Sequence, residues 1–568
     1  MNPAEISAFQ RLEYDAGFQR QVATQLHRVV RVLIRVKTMA VQAFVPSWGC
    51  AAPRSAHWDY VPIASSPSRP FSWFRSHVRR RSSTGTRTHA VTRADSEAAQ
   101  GRAVGQKPMP TQVSLWETLQ ALQRNAGVAG FAVDELRAKY GDVFRVDLGV
   151  FKPVILCGHD SLRLMANAPD SELSFGANMV PALQIVMEPK DYAATVFPFM
   201  DYPLDPTLMP NFEKMLVEAF RKTNHLTKYR ERSQTAIRRE LARLAEDNFA
   251  ETDFVEVCSR VLFASSTTIL LGDRFASAYG YQLWRDYFEL EALAKGPGYQ
   301  LMPNAPWNAK VQIVRRKARR AIQDEIERRI ARSLKPTLDE TDDYLDIILY
   351  MMDDVTIGSR KVGAIVDQIM SIFLAMHITT VTSASWTTVR LAQDPGAIKT
   401  IRDELASLDL TQLASFLPGA MRTLDAYWNE TMRIATIGPL PRWAMKDIEF
   451  QGVRIPAKST VVHYMNTTHL DPTIYPDPLL FDPNRFLDPQ VTKELTRSAK
   501  FWKFGVGAHT CTGSRLGEMV LKLFWTELLS TYEISTSMTA AQLLDFVPSK
   551  FGAEMPKETM RVKIIPRT

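Results

Sequence analysis

The stretch 501–518, FWKFGVGAHTCTGSRLGE, concentrates residue types that could do chemistry. Cys511 sits in a glycine-rich loop, with Phe504, Gly507 and His509 ahead of it and Gly513 behind. An apolar run of helical period, MVLKLFWTELLSTYEI, follows. The first turn of a helix leaves N–H groups unbonded and carries a positive dipole end, and both favour a thiolate. Glycines let the backbone turn sharply and lie close against a flat ligand. His509 brings a donor two residues before the sulfur, suited to an anion such as a propionate. A thiolate held this way can ligate haem iron and push electron density toward O–O cleavage. A lone cysteine is more often a buried turn residue. The full pattern F-x-x-G-x-[HR]-x-C-x-G, however, is expected only on the order of 10⁻⁵–10⁻⁴ times by composition.

That pattern resembles the haem loop of the cytochrome P-450 superfamily, the haem-thiolate monooxygenases, and the resemblance covers about residues 108–568. It implies Cys511 as axial ligand of haem b, with Phe504, Gly507, His509 and Gly513 shaping the loop. It also implies marks upstream. Glu430 and Arg433 stand three apart, so they share a helix face and can pair. Glu325 and Arg328 have the same spacing and read as a solvated face. Only Glu430 is followed by PLPRWAMKDIEFQGVRIPAKSTVVHYMNTTHLDP and then FDPNRF, an order similar to the family's strand hairpin and arginine-bearing loop. By resemblance, Arg485 completes a network with Glu430 and Arg433 behind the haem, and Arg442 sits where relatives place a cation on a haem propionate. Lys214 stands where relatives carry a basic residue toward haem, although a surface lysine is the plainer reading.

The segment 362–392, KVGAIVDQIMSIFLAMHITTVTSASWTTVRL, reads as one long helix. Relatives carry A-G-x-[acid]-T in its middle, and Ala375-Met376-His377-Ile378-Thr379 is the match. The Thr379 hydroxyl could hold water or dioxygen, and a mid-helix threonine pair tends to bond back to helix carbonyls and loosen the turn. Met376 replaces a small residue and Ile378 replaces an acid that relays protons. His377 could substitute as relay, but one helical step turns its direction by about 100°. Phe373, Leu374 and Met376 suggest an apolar pocket on the oxygen side.

These residues need a scaffold. Helical periods dominate after Pro108, at 213–249, 309–333, 342–352, 362–392, 396–407, 418–435 and 514–531. Strand-like runs are fewer: Val143–Leu148, Pro153–Cys157, Asp447–Phe450 and Thr460–Tyr464. The expected fold is mainly α with small β-sheets. By resemblance it is the cytochrome P-450 fold, a long central helix and a proximal cysteine loop around a buried haem. At 568 residues, two domains are expected: a basic Ser/Arg-rich extension over 1–107, disordered or targeting, and a catalytic domain over 108–568.

Charge is unevenly placed. Residues 1–110 hold 16 Lys and Arg against 6 Asp and Glu, so of the net +8 the remainder carries −2. A near-neutral body argues against nucleic acid as a partner. Four scattered cysteines with no C-x-x-C pairing argue against a disulfide scaffold or a structural zinc site. No run of 18 uncharged apolar residues occurs, so no spanning helix is expected. The basic apolar run at 28–43 suits a peripheral membrane contact or a targeting helix. An intracellular setting follows, with the endoplasmic reticulum surface ahead of the mitochondrion.

The function implied is a haem-thiolate monooxygenase that hydroxylates or epoxidises a hydrophobic small molecule: a sterol, terpenoid, polyketide or other secondary metabolite. Its other partners would be dioxygen and electrons from NADPH through a reductase or ferredoxin-type donor. Two alternatives stay open: a reductase-independent haem-thiolate isomerase or lyase acting on a peroxide, and a cysteine-ligated haem sensor.

Overall fold

A computed structural model describes most of residues 107–567; residues 1–106, most of 176–211 and several short segments, including 506, 508 and 509, lie outside the described residues. The extension expected at 1–107 (Lys107 apart), its run at 28–43, and His509 therefore fall outside them.

The elements begin with β1 (Thr111–Val113), α1 (Leu115–Arg124), α2 (Ala129–Tyr140), β2 (Val143–Val146), β3 (Val154–Leu156), α3 (His159–Asn167) and β4 (Leu173–Ser174). Helices then dominate: α4 (Phe212–Arg221), α5 (Thr223–Glu246), α6 (Phe254–Ala294), α7 (Ala309–Ile330), α8 (Tyr344–Met351), α9 (Ser359–Ala392), α10 (Pro395–Ala406) and α11 (Arg422–Ala435). A strand-rich stretch follows, with β5 (Pro439–Ala444), β6 (Ile448–Phe450), β7 (Val453–Ile455) and β8 (Thr460–Tyr464). The short α12 (Asn466–His469), then α13 (Pro489–Arg497), α14 (Ser514–Thr531) and short C-terminal strands complete the chain.

Local chemistry starts several helices. Asp394 accepts the Ala397 N–H ahead of Pro395, and Asp488 accepts the Gln490 N–H ahead of Pro489. Each aspartate satisfies an orphan donor, and each proline pre-sets the first helical φ. The expected helix at 213–249 is two helices, because Lys222 steps out of helical geometry and its carbonyl accepts the Leu226 N–H. Helix α6 had no sequence forecast. Its run VLFASSTTILL is nearly continuous in apolar and β-branched residues, which hides the helical period. Gly272, at φ 80°, bends it; a Cβ there would lie 2.5 Å from Asp343 Oδ2.

The six-stranded sheet runs β1-β2-β3-β8-β5-β4. Strand β5, PLPRWA, carries two prolines that spoil a strand pattern. They are tolerated because, among the described residues, β4 pairs only with Trp443 and Ala444, leaving Pro439 and Pro441 flanked by β8 alone. On the buried side of the sheet, Ser161 of α3 lies 2.7 Å from His463 Nδ1 of β8, and the Gly158 N–H donates to Thr467 Oγ1 at 3.0 Å.

Helix α9, about 50 Å long at 1.5 Å per residue, is the central beam and packs against α6, α7, α11 and α14. Segments Phe254–Leu293 and Lys361–Ala392 are long and apolar enough to cross a membrane, yet 83% and 72% of their apolar windows are buried within the protein, which marks them as core helices.

Candidate active site around the cysteine loop

The loop before α14 is locked from several sides. The Cys511 N–H donates to the Phe504 carbonyl at 2.7 Å, closing a tight turn. The Phe504 ring meets Trp428 edge-on at 5.7 Å and lies 3.5 Å from where a Gly517 Cβ would stand. Gly507 is at φ 65°, and a Cβ on it would come within 2.2 Å of the Ala166 carbonyl oxygen in α3. Glycine there lets the loop press on a neighbouring helix backbone, a use beyond the ligand approach that sequence suggests. Gly513 caps α14, with room for a Cβ 3.9 Å from Cys511 Sγ. Cys511 is exposed, unlike buried Cys157 and Cys258. Burial by the surrounding protein still pushes its thiol up, against the Gly513 backbone hydrogen bond and the Arg221 charge that pull it down.

Behind the loop, Glu430 and Arg433 are fully buried and bidentate, at 2.7 Å for both Nε–Oε2 and Nη2–Oε1. Arg433 spends Nη1 on the carbonyls of His469 and Pro478 at 2.9 and 2.8 Å. Arg485 Nε stands 3.5 Å from Glu430 Oε1, and its Nη2 donates to the Pro476 carbonyl at 2.6 Å. The structure thus brings together the three residues named from sequence. Buried pairs of this geometry fix conformation more than they add stability.

Arg442 is the informative cation. It is 1% exposed, stacks 5.0 Å over the Phe175 ring, and donates only to the adjacent Pro441 carbonyl. Among the described residues no carboxylate pairs with it and its Nε is orphaned. Burial lowers its pKa to about 10. The Asp170 charge opposes that fall without bonding to it; a buried guanidinium with no bonded anion is costly, so the residue fits an acidic ligand group such as a haem propionate. Lys214 is exposed on α4.

Helix α9 shows where a ligand face lies. Within 361–392, Ala375 and Thr379, four apart, are the exposed positions, and Met376 and Thr380 beside them are half-buried. Thr379 Oγ1 bonds back to the Ala375 carbonyl at 2.8 Å, and Thr380 Oγ1 to that of Met376 at 2.6 Å. Three sequence expectations change here. Phe373 faces the core, stacked on Phe263 at 4.9 Å, and Leu374 is buried, so of the expected pocket residues only Met376 borders the strip. Ile378 is buried in the core. His377 points to α6, with Nε2 3.1 Å from Ser259 Oγ and its ring edge-on to Phe263, and burial lowers its pKa. It turns away from Thr379 and is no relay on that face.

A fourth change concerns Glu325. It is no solvated residue: Arg274, Arg328 and Arg329 reach it at 2.8, 2.5 and 2.9 Å while it is 3% exposed. Arg329 also pairs with Asp343 and Asp346 of the α8 cap and donates to the Leu271 carbonyl at 2.6 Å, pinning the bend of α6. Sequence reasoning also passed over Arg390, whose guanidinium lies 4.6 Å over Phe481 with its pKa lowered to about 10 by burial and partly restored by Glu430. A charge in an otherwise apolar run of α9 was the available signal.

Comparison with known proteins gives the family and the fold. A family model described as Cytochrome P450 matches residues 108–563. Cytochrome P450 monooxygenase pynD of Aspergillus niger is 25% identical over 452 residues, 76% of this chain and 87% of that one. Putative cytochrome P450 120 of Synechocystis is 30% identical over 251 residues, 44% of this chain and 55% of its own. Among solved structures, retinoic acid bound cyanobacterial CYP120A1 aligns with a TM-score of 0.62 at 22% identity, over 82% of this chain and 100% of that one, a likeness of fold.

Proposed function

This chain belongs to the cytochrome P450 family and is a haem-thiolate monooxygenase; from that premise we propose that Cys511 is its iron ligand and that it oxidises an apolar small molecule. The proposed chemistry is insertion of one atom of dioxygen into a C–H or C=C bond of a sterol, terpenoid, polyketide or similar metabolite, the other atom leaving as water with two electrons and two protons. NADPH would supply the electrons through a reductase or ferredoxin-type partner.

The observation that carries the assignment is the Cys511 loop, its amide clamped on the Phe504 carbonyl and the exposed cysteine standing just ahead of α14. Haem bound there supplies the dioxygen-splitting and electron-storing chemistry. Arg442 holds an acidic edge of the ligand and lowers the cost of its own buried charge. Glu430, Arg433 and Arg485 keep the backbone behind the loop in one geometry. Thr379 offers a hydroxyl on the bare strip of α9, free to hold water and pass a proton once it releases the Ala375 carbonyl. Met376 narrows that strip and makes it apolar, which suits a hydrophobic substrate. Retention of Thr379 on this face favours oxygen insertion over peroxide isomerisation.

The test uses full-length protein loaded with haem. The reduced carbonyl complex should show the thiolate-type band, and Cys511→Ala should abolish it; a band that survives removes Cys511 as ligand. Apolar candidates are then screened by the spin-state shift of the haem, followed by product formation with reductase and NADPH. Thr379→Ala should divert electrons from product to released peroxide, several-fold. Turnover of a hydroperoxide without any reductase would replace the monooxygenase reaction with the isomerase one.

A further inference from the structure

A buried charge cluster lies directly against the cysteine loop. Lys503 is the residue before Phe504, whose carbonyl clamps the Cys511 amide. Its side chain is 12% exposed, and its ammonium sits 3.7 Å over the Trp428 ring of α11 and 5.4 Å from the Phe504 ring. Its ion pair is Glu518 of α14, at 3.3 Å. A second pair lies alongside: Lys522 of α14 bonds Asp425 of α11 at 2.7 Å and the Leu417 carbonyl at 2.8 Å. The four groups balance, two cations against two carboxylates. Burial lowers the Lys503 pKa, and Glu518 and Asp425 oppose that fall.

We propose that Lys503 and Glu518 form a paired charge element that positions the Phe504–Cys511 turn and sets the reduction potential of the iron bound to Cys511. The inference rests on Cys511 being the ligand. Lys503 joins three elements at one point: the loop through its own backbone, α11 through Trp428, and α14 through Glu518. A cation over an aromatic face is held more firmly where water is excluded, and this contact keeps the loop in one register. The pair also has an electrical role, since charges near a metal ligand tune its potential and act strongly where water is excluded. A positive charge on the flank of the ligand loop favours gain of an electron by the iron; a negative one opposes it. As a balanced pair, Lys503 and Glu518 hold the potential between those limits. Lys503 also lines an open groove of about 810 Å³ on this side of the loop, with Phe504, Gly507 and Glu518, so anything seated in that groove meets the pair.

The experiment is potentiometric titration of haem-loaded full-length protein and its variants. Lys503→Met keeps the stem and leaves Glu518 unpaired, so the potential should fall by about tenfold in the ferric/ferrous equilibrium, ~59 mV for a one-electron couple. Glu518→Gln frees the Lys503 charge and should raise it by a similar factor. Lys503→Met with Glu518→Gln should return close to the parent, and Lys503→Arg should keep the parent value. A purely packing role would shift both single variants in one direction or neither, and that result overturns the proposal. Should Lys503→Met fail to retain haem, the sign of the Glu518→Gln shift decides alone. Absence of the thiolate band in the parent would instead sink the Cys511 assignment, a separate outcome from unmoved potentials with the band intact.

Discussion

The chain holds two Glu-x-x-Arg pairs on helices, and they end in different employment. At Glu430 and Arg433, both side chains are wholly buried, the acid meets one bidentate partner, and the arginine's other donors tie down the carbonyls of His469 and Pro478. At Glu325, the acid alone is deeply buried, and three arginines crowd it while Arg328 and Arg274 stay partly in solvent. The first pair organises the chain behind the cysteine loop. The second braces the bend of α6 against α7 and α8. Spacing made both pairs possible; what distinguishes them is the backbone each guanidinium has left to bind.

Breaking each pair should expose that difference. Arg433→Leu strands a buried carboxylate and the carbonyls of His469 and Pro478, so unfolding stability should drop by about 3–5 kcal/mol, with loss of haem retention. Thermal unfolding and haem content measure both, and a stable variant that keeps haem would remove the organising role. Glu325→Gln should cost about 1–2 kcal/mol at neutral pH, less than a fully buried pair because two of its arginines stand partly in solvent, while leaving the thiolate band unchanged. Its pH signature has a definite sign. Burial alone would raise Glu325, but its hydrogen bonds to Arg328 and Arg329, the Arg329 charge and the bond to Arg274 overcome it and hold the pKa at about 2. A depressed folded pKa gives stability that is complete above the usual 4.5 and is lost as pH falls toward 2. Denaturation between pH 5 and 2 should therefore show a shallower acid limb in the variant, and an identical limb would reject the assignment.

Smaller effects sharpen the contrast. Arg485→Leu loses the bond to the Pro476 carbonyl and a looser contact with Glu430, about 1–2 kcal/mol. Arg328→Leu removes one of three partners from a partly exposed site and should cost under ~1 kcal/mol. If denaturant unfolding ranks Arg328 above Arg485, the reading of the two sites is inverted.

Sequence revealed these regions unequally, for physical reasons. The Cys511 loop and the Glu430–Arg433–Arg485 set were legible because residue type, spacing and order along the chain all point to one use. Arg442 was legible by position, and its burial without a carboxylate then gave that position a chemical need. Helix α9 was legible as a helix but not in its facing. Phe373 and Met376 look alike in a string, yet three residues of helical turn send one to Phe263 and leave the other beside Thr379. Glu325 was misjudged because charge density on a helix says nothing of the neighbour that will cover it. Lys503 gave no signal at all, since its meaning comes from Trp428 and Glu518, which meet it only after folding.

The approach of Gly507 to Ala166 has a mechanical consequence. Helix α3 is tied to β8 through the Ser161–His463 contact and, at its start, to the short α12 through Gly158–Thr467, so the turn that carries Cys511 is geared to the β-rich end of the molecule as well as to α14. A rotation of the sheet would pass through α3 to Gly507 and so act as a lever on the turn that carries Cys511.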